Sequence, residues 1–472
     1  MPLEWADFEM NWSLFQNSLF VSGLTTLLAT GVGFLVALTV AGMGERGGRW
    51  LLGATVVALA LPPFLATNCW LDLLGNNGAW RSWLAVSLYS PGGAVWLLTL
   101  LTWPITTLFV LGAWGRLESP QLESDPALSG WALIRWLLWP LARAAVGQAA
   151  VLTFVLALNN FAVPVILQVR VFPEELWLAF TARLDEAGAW AASAPLVIVP
   201  VLVLLGLRKS EMSWPRPLGP ATAKPFRRQL GRSWLRGSSV LTAVILALSV
   251  CLPFQRLVFN SRTWTELPNL WRAAPEVIWN SFEFAAASAA MGVVIGLVTW
   301  RRPFGLMVWL PFLVPGVLMG RMMIFVWNGT ALYGTAGLAM AALAIRYLGP
   351  GWNGVALARR GVDRDLVDAA SLDSSSGWIL LRHVVWPQIA PQVGAVWYVT
   401  YLLCLWDVET LVLIYPPGGE TLALRVFNLL HYGHNAQVNA LCVTLLALAV
   451  APLMGWGLWR WLARARALTN AQ

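Results

Sequence analysis

Eleven apolar runs, each long enough to cross a lipid bilayer, recur along the 472-residue chain. A bilayer core requires about 20 consecutive apolar residues per helix. Only 11% of the residues are charged, whereas a soluble domain carries about 25%. The runs begin near Leu19, Leu51, Ala94, Ala145, Ala191, Ser239, Phe282, Gly305, Leu332, Val393 and Leu441. We therefore predict an all-α integral membrane protein with about 11 transmembrane helices, and we exclude a nucleic-acid-binding protein in spite of the net charge of +8.

The distribution of basic residues predicts the orientation of these helices. An odd number of spans puts the two termini on opposite sides of the membrane. Placing the C-terminus inside puts 23 of the 31 Lys and Arg residues, Arg346 among them, in inner loops or at inner helix ends, as the positive-inside rule requires. The sequence therefore predicts an outer N-terminus and a cytoplasmic C-terminus. Acidic residues precede the first run, so we expect no cleaved signal peptide.

One polar segment, residues 208–237, divides the chain. It is rich in proline and in basic residues and is too polar to cross a membrane. We interpret it as a solvated cytoplasmic linker near anionic lipid. The linker separates residues 1–207, which hold about five spans, from residues 238–472, which hold about six.

The two parts contain an internal duplication. The segment GWALIRWLLWP, Gly130–Pro140, matches GWILLRHVVWP, Gly377–Pro387, with six identical residues at an offset of 247. Upstream, Asn17-Ser18-Leu19 matches Asn280-Ser281-Phe282, and each triplet opens an apolar run. Because both matched segments lie on the same predicted side, we expect two parallel repeats of five and six spans.

The matched segments belong to two inner loops, residues 117–143 and 358–391, and the second loop is the fuller copy. Its first part predicts a short helix with Leu366, Ala369 and Ala370 on one face. A polar hinge, residues 374–376, separates that helix from a second one that ends before Pro387. Small residues allow another surface to approach closely, so we interpret the pair of helices as a docking surface.

The second loop resembles the "EAA" loop of binding-protein-dependent ABC importer permeases. That pattern reads E-A-A, three residues, G, about nine residues, then an apolar residue, any residue and L-P. Here Asp368-Ala369-Ala370 stands for E-A-A, Ser374 for the glycine and Trp386-Pro387 for L-P. Two such loops in one chain resemble the fused permeases that import ferric iron or thiamine. The segment Thr410–Gly433 is more similar to the ferric-iron branch.

The resemblance implies that the loops dock onto two copies of a cytoplasmic ABC ATPase. The residues that it places at this interface are Asp368, Ala369, Ala370, Ser374, Gly377, Arg382 and Pro387 in the second loop, and Glu123, Gly130, Arg135 and Pro140 in the first. The chain contains no GxxxxGK[ST] phosphate loop. It is therefore expected to be no enzyme and to bind no cofactor, with ATP and magnesium on the partner. The resemblance also implies a periplasmic solute-binding protein and a bacterial inner-membrane location.

The first loop is the more degenerate copy. A proline, Pro126, stands where a continuing docking helix is expected, and proline is tolerated only in the first turn of a helix. We therefore predict a shorter docking helix that begins near Pro126 with Asp125 as its N-cap.

Polar residues inside the spans are candidates for a translocation pathway, because ionisable groups at membrane depth usually face a cavity or a partner. The offset of 247 pairs Asn160 with Asp407. The candidates are Asn160, Asp407, Glu409, Glu283 and Arg321. Carboxylates near the outer mouth favour a cationic cargo. The alternative is that these residues lie among outer-leaflet headgroups or pair with Arg321. The three histidines are too scattered for a metal site.

Ferric iron is accordingly the predicted cargo, with thiamine or another small organic solute, phosphonates included, as the alternative. A secondary transporter is the alternative of another class. Prolines at Pro62-Pro63 and Pro315 interrupt equivalent spans of the two halves, and broken helices are typical of such transporters. That class does not account for two docking loops.

Overall fold

The structure is a computed structural model of the chain. It describes residues 12–76, 78–82, 87–115, 117–125, 128–180, 186–206, 218–302, 305–372, 377–431 and 435–469. Over these ranges the chain is helical and contains no strand, as predicted. Backbone contacts divide it into two compact units. The first comprises Met1–Asn260 and Leu313–Leu318, and the second comprises Ser261–Phe312 and Met319–Gln472.

The first unit is built from long helices joined by short ones. They are α1 (Trp12–Gly42), α2 (Gly44–Ala60), α3 (Pro63–Leu74), α4 (Pro91–Trp114), α5 (Ser119–Glu123), α6 (Trp131–Leu133), α7 (Trp139–Asn159), α8 (Ala162–Ile166), α9 (Phe172–Leu178), α10 (Glu186–Gly206), α11 (Pro220–Leu230), α12 (Arg232–Leu246) and α13 (Leu252–Phe259). The boundaries follow local signals. At α4, for example, the Ser90 hydroxyl accepts a hydrogen bond from the Gly93 amide, and Pro91 occupies the first turn.

The core of this unit forms where α1 packs against α4 and α7. A Cβ atom at Gly33 would lie 2.5 Å from the Trp103 carbonyl oxygen, so only glycine fits this helix crossing. The Thr107 hydroxyl donates a hydrogen bond to the Gly33 carbonyl oxygen at 3.0 Å. Small residues that allow close backbone approach are typical of helix packing in membranes.

The described part of the predicted linker, residues 218–237, is helical, and it is partly buried rather than fully solvated, with its basic residues exposed. Helix α11 buries Phe226 and Leu230 completely, and α12 continues directly from it. The interpretation of this part as a solvated connector is therefore wrong. Although the segment is basic, its apolar residues recur at helical spacing and find a partner within the unit.

The second unit is also built from long helices joined by short ones. Its helices are α14 (Ser261–Ala273), α15 (Pro275–Thr299), α16 (Leu310–Leu313), α17 (Gly316–Trp327), α18 (Ala336–Arg346), α19 (Leu348–Arg360), α20 (Arg364–Leu372), α21 (Gly377–Leu380), α22 (Trp386–Leu405), α23 (Leu411–Ile414), α24 (Leu422–His431) and α25 (Asn435–Thr469). The end of α16 and the start of α17 fall in the segment Leu313–Leu318, which belongs to the first unit. Helix α15 packs against α18, α19 and α22. In this contact the Ser288 hydroxyl donates to the Met340 carbonyl oxygen at 2.9 Å.

Helix α25 tolerates a proline in its interior, Pro452. A proline removes the amide that would bond to the carbonyl four residues earlier, which is that of Leu448. The Tyr401 hydroxyl donates to the Leu448 oxygen at 2.9 Å, and the Tyr398 hydroxyl donates to the Ala449 oxygen at 3.1 Å. Side chains of α22 therefore satisfy the backbone groups at this interruption, as a bilayer environment requires.

Six helices within the described ranges are long and apolar enough to span a membrane, or seven if the bent pair α2 and α3 counts as one span. They are Trp12–Gly42, Pro91–Trp114, Trp131–Asn159, Arg232–Phe259, Pro275–Thr299 and Gln437–Leu458. The chain is therefore a multi-pass membrane protein, while the number 11 and the division into five and six spans stay predictions. Several predicted runs are broken in the structure. The α2–α3 pair bends by 84° at Pro62-Pro63, and α17 and α18 have 12 and 11 residues.

The compact units and the predicted repeats divide the chain at different places. Helices α12 and α13 lie in the first unit, whereas the sequence allots residues 238–259 to the second repeat. A repeat is defined by common ancestry of two segments, whereas a compact unit is defined by backbone contacts. The contacts therefore do not test the repeat boundaries, which stay a prediction.

Candidate functional site

The two predicted docking loops share an unusual backbone conformation. Gly130 and Gly377, which are 247 residues apart, have φ angles of +56° and +57°. Side chains disfavour this left-handed region, whereas glycine adopts it without steric cost. Each glycine precedes a short helix, α6 in the first loop and α21 in the second.

Each short helix then passes through one π-helical turn. The turns are Ile134–Leu138 and Leu381–Val385, again 247 residues apart. Each is followed at once by a long helix with a proline in its first turn, Pro140 in α7 and Pro387 in α22. A proline cannot donate to the preceding turn and its ring clashes there. A wider π turn relieves this conflict. The match that the sequence predicted is therefore present in the backbone.

The first loop begins with α5, which lies earlier than predicted. Pro120 occupies the first turn, and the Glu118 amide donates to the Gln121 side chain at 3.3 Å, as in a capping box. Asp125 follows this helix instead of capping one, and residues 128 and 129 are not helical, so the predicted start near Pro126 is wrong. Pro126 itself lies outside the described residues.

The second loop contains the longer docking helix, α20. Asp363 caps its start, because its carboxylate accepts a hydrogen bond from the Asp365 amide at 3.0 Å. None of the nine residues of α20, all of them described, is buried. Of the predicted docking residues, Asp368 and Ala369 are exposed and Ala370 is half-buried. The prediction of a short helix on each side of the hinge is confirmed, but the predicted end of the second helix before Pro387 is wrong, because α21 continues through the π turn into α22.

The remaining predicted docking residues lie at the surface of their units. Those that are exposed are Glu123, Arg135, Pro140, Gly377, Arg382 and Pro387, and Gly130 is half-buried. Ser374 lies outside the described residues. Each loop therefore has exposed residues next to the start of a long helix, and the ATPase contact itself stays a prediction.

Two serines at the other matched site make similar hydrogen bonds. The Ser18 hydroxyl accepts a hydrogen bond from the Phe172 amide at 2.8 Å, at the start of α9. In the second unit the Ser281 hydroxyl accepts one from the Leu422 amide at 2.7 Å, at the start of α24. The same serine thus satisfies the first amide of the corresponding helix in each unit.

The residues that the sequence paired at membrane depth, Asn160 and Asp407, also have one common role. The Asn160 side-chain oxygen accepts from the Val163 amide at 3.0 Å. An Asp407 carboxylate oxygen accepts from the Thr410 amide at 2.7 Å. Each residue therefore accepts a hydrogen bond from the amide three residues later, as a helix cap does, at or just before the start of a short helix that follows a long one, α8 after α7 and α23 after α22. The two lie in different units, and a shared pathway stays a prediction.

Asp407 differs from Asn160 because it also belongs to a buried ionic cluster. Its second carboxylate oxygen lies 3.2 Å from Nε of Arg346 and accepts a hydrogen bond from the Tyr347 hydroxyl at 2.7 Å. Arg346 also contacts Glu409 at 2.9 Å. The Arg346 and Asp407 side chains are 6% and 1% exposed. Buried charges require such partners.

Arg346 is the member of this cluster that the sequence interpretation missed. It was counted among the basic residues of inner loops and helix ends, but it is buried at the end of α18. The alternative pairing proposed from sequence named Arg321, which lies half-buried in α17. A signal was available, because Arg346 interrupts the apolar sequence AGLAMAALAI, and a lone charge in such a run usually has a buried partner.

Glu283 lies half-buried in α15. Over the described residues, no three His, Cys, Asp or Glu side chains come together in an arrangement that could hold a metal ion.

Transport permeases of bacteria are similar to this chain. The thiamine transport system permease protein ThiP of Salmonella typhimurium LT2 is 25% identical over 313 residues, which cover 62% of this chain and 57% of ThiP. A Salmonella paratyphi A protein with the provisional name 2-aminoethylphosphonate transport system permease protein PhnV is 26% identical over 159 residues, 33% of this chain and 60% of PhnV. The spermidine/putrescine permease PotC of Escherichia coli K12 is 30% identical over 91 residues, 19% of this chain and 34% of PotC.

The chain resembles binding-protein-dependent ABC importer permeases. It spans 60% or less of the length of each of these three relatives. No protein-family model matches the chain. The relatives carry the names of permeases and not of enzymes, in agreement with the sequence interpretation. None of these three relatives is named for iron.

Proposed function

We propose that this chain is the translocation subunit of an ATP-driven importer in a bacterial inner membrane. The observation that carries the proposal is the duplicated docking loop, in which a left-handed glycine, a π turn and a proline recur 247 residues apart. The second loop exposes the helix that carries Asp368, Ala369 and Ala370. Such a helix can enter a cleft of a partner, and ATP-driven closure of two partner subunits would then switch the chain between inward-open and outward-open states.

The partners in this proposal are two cytoplasmic ABC ATPase subunits and a periplasmic solute-binding protein. ATP and magnesium are held by the ATPase subunits. The names of the relatives support the assignment, because each is the permease of a named transport system. A secondary transporter would take up its solute without an ATPase, so omission of that subunit separates the two functions.

For the cargo we favour a small organic solute, with thiamine to be tested first. The similarity to ThiP extends over 62% of the chain. Ferric iron is the second candidate. Its chemical argument is the presence of carboxylates in the spans, but Asp407 and Glu409 both contact Arg346 and are largely buried. Because Arg346 pairs with both groups and offsets one of their two negative charges, these carboxylates give little preference for a trivalent cation over an organic solute.

Uptake measurements test the function and the cargo together. Cells that lack their own thiamine and iron importers would express the chain with the ATPase and the binding protein encoded beside it. We expect ATP-dependent uptake of radiolabelled thiamine, and no uptake when the ATPase is omitted. Uptake of labelled ferric iron alone would reverse the choice of cargo. Undiminished uptake without the ATPase would refute the importer.

We also propose the orientation with an outer N-terminus and a cytoplasmic C-terminus. Single cysteines at Ser13 and Thr469, in a chain with its four native cysteines replaced, would be exposed to a membrane-impermeant maleimide from the outside. We expect labelling at Ser13 only, because the basic inner loops resist translocation. Labelling at Thr469, alone or together with Ser13, would contradict the orientation, and permeabilised cells, in which both sites react, provide the control.

A further inference from the structure

Helix α11 lies directly on the first docking helix, α5, within the first unit. Its apolar residues Phe226 and Leu230 are fully buried, and so is Leu122 of α5. The ring of Trp114, at the end of α4, lies 6.2 Å from that of Phe226. The apolar side of α5 is thus already occupied by a segment of the same chain.

Hydrogen bonds hold α11 in this position. The Gly130 amide donates to the Gln229 carbonyl oxygen at 2.8 Å, and the Gln229 side chain donates to the Leu122 carbonyl oxygen. At the other end, the Ser119 hydroxyl contacts the Thr222 hydroxyl at 3.5 Å. Helix α11 therefore contacts α5 along its length and also contacts Gly130, the left-handed glycine of the loop.

Two further contacts fix α11 and the start of α12 to the rest of the unit. The Arg227 guanidinium donates to the Gly42 carbonyl oxygen, at the end of α1, at 2.9 Å. The indole of Trp234 stacks on that of Trp131 with ring centroids 5.9 Å apart. The helix is anchored to α1 and to α6 as well as to α5, which argues against easy displacement.

The second docking helix has no such cover within the described residues. Leu366 and Leu372 of α20 are 53% and 87% exposed. By the offset of 247, Ala369 of α20 corresponds to the buried Leu122 of α5. The same position of the repeat is therefore covered in one copy and open in the other.

We propose that α11 is a permanent intramolecular cover of the first docking helix, α5, so that of the two docking helices only α20 offers an apolar face to the ATPase. This inference rests on the proposed function. The cover also indicates what the ATPase offers to α20, namely an apolar surface like that of Phe226 and Leu230 and a side-chain donor for a backbone carbonyl, as Gln229 provides. On α5 itself the ATPase can reach only the exposed residues Pro120, Gln121 and Glu123.

A disulfide that locks the cover tests the proposal. The Ser119 and Thr222 hydroxyl oxygens lie 3.5 Å apart, so cysteines at both positions can form a bond after a small shift. The variant Ser119→Cys/Thr222→Cys would be made with Cys251→Ser, because Cys251 is the exposed native thiol among the described residues. We expect uptake of the transported solute, assayed with ATPase and binding protein, to stay within about twofold of the unlocked protein after oxidation.

Loss of uptake on oxidation is the result that would contradict the proposal. A loss of about tenfold or more on oxidation, reversed by dithiothreitol and absent in the Ser119→Cys single variant, would show that α11 must open for the ATPase, and would overturn the proposal. Because a disulfide also requires suitable Cβ geometry, the thiol accessibility of Leu122→Cys decides the proposal if the bond does not form.

Thiol accessibility in membranes tests the cover without any transport assay. With a membrane-permeant maleimide, Leu372→Cys is expected to react and to be protected when the ATPase binds. Leu122→Cys is expected to react at least about tenfold more slowly, with or without the ATPase. Rapid labelling of a correctly assembled Leu122→Cys protein would overturn the cover. If wild-type uptake is absent but Leu122→Cys stays protected, the proposed function fails while the intramolecular cover stands.

Discussion

Replacing Arg346 with alanine is expected to lower the free energy of unfolding by about 3–5 kcal/mol, because it leaves two buried carboxylates without their cation. Asp407 and Glu409 both contact the Arg346 guanidinium, at 3.2 and 2.9 Å. The measurement is the thermal unfolding midpoint of the purified chain in detergent, together with the fraction that elutes as a single species.

A matched ion pair at the surface gives the control. Arg425 and Glu420 lie 2.6 Å apart and are 32% and 30% exposed, and such pairs contribute about 0–1 kcal/mol. Arg425→Ala should therefore leave the midpoint almost unchanged. Equal shifts in the two variants would show that burial of the cluster has no energetic consequence.

A neutral version of the cluster separates charge from packing. We expect Arg346→Met with Asp407→Asn and Glu409→Gln to recover much of the lost midpoint, because no uncompensated charge is then buried. Asparagine can replace Asp407 as a helix cap, since Asn160 has that role in the first unit.

Replacing Ala370 with arginine is expected to reduce ATP-driven uptake by about tenfold or more, which corresponds to a loss of about 1.4 kcal/mol in the docking contact. Ala370 lies on α20, where a long charged side chain would prevent close approach of the ATPase. Uptake would be measured per amount of membrane-inserted protein, so that poor assembly is not mistaken for lost docking.

The matched control is Glu123→Arg, because Glu123 occupies the equivalent position of the first loop. Glu123 is exposed at the end of α5, and we expect uptake to stay within about threefold of wild type. Equal losses at both positions would mean that the two loops dock alike. Ala127, the first-loop position that the sequence suggested for this comparison, lies outside the described residues.

The sequence predicted the features that depend on local chemistry. The matched Gly130 and Gly377 do share a left-handed backbone, and Pro140 and Pro387 do follow equivalent helical turns. The serines of the upstream match, Ser18 and Ser281, make equivalent hydrogen bonds. In each case a residue type with a strong backbone preference or a short polar side chain limits the local structure to few choices.

Features that depend on distant contacts were missed. Arg346 was counted as a loop residue because hydropathy alone does not reveal that Asp407, 61 residues later, lies beside it. The burial of α11 was missed because its basic residues dominate the composition, although Phe226 and Leu230 are spaced for one helix face. The predicted start of the first docking helix relies on Pro126. Pro120 is the stronger start signal, because a capping box lies beside it.

The ionic cluster has a mechanical consequence for the second docking loop. From Arg346, α19 runs about 20 Å to the loop, and α22 returns about 30 Å from it, at 1.5 Å per residue, to end just before Asp407. The two helices pack against each other, and the Arg346–Asp407 ion pair connects the chain at their ends that are distant from the loop. A force on α20 would move α19 and α22 together as one rigid unit, because the ion pair opposes sliding of one helix along the other. In the first unit, α4 and α7 have the uncharged residues Thr99, Leu100, Leu101 and Asn160 at the equivalent positions. Because no ion pair can form between these residues, α4 and α7 have more freedom to slide along each other.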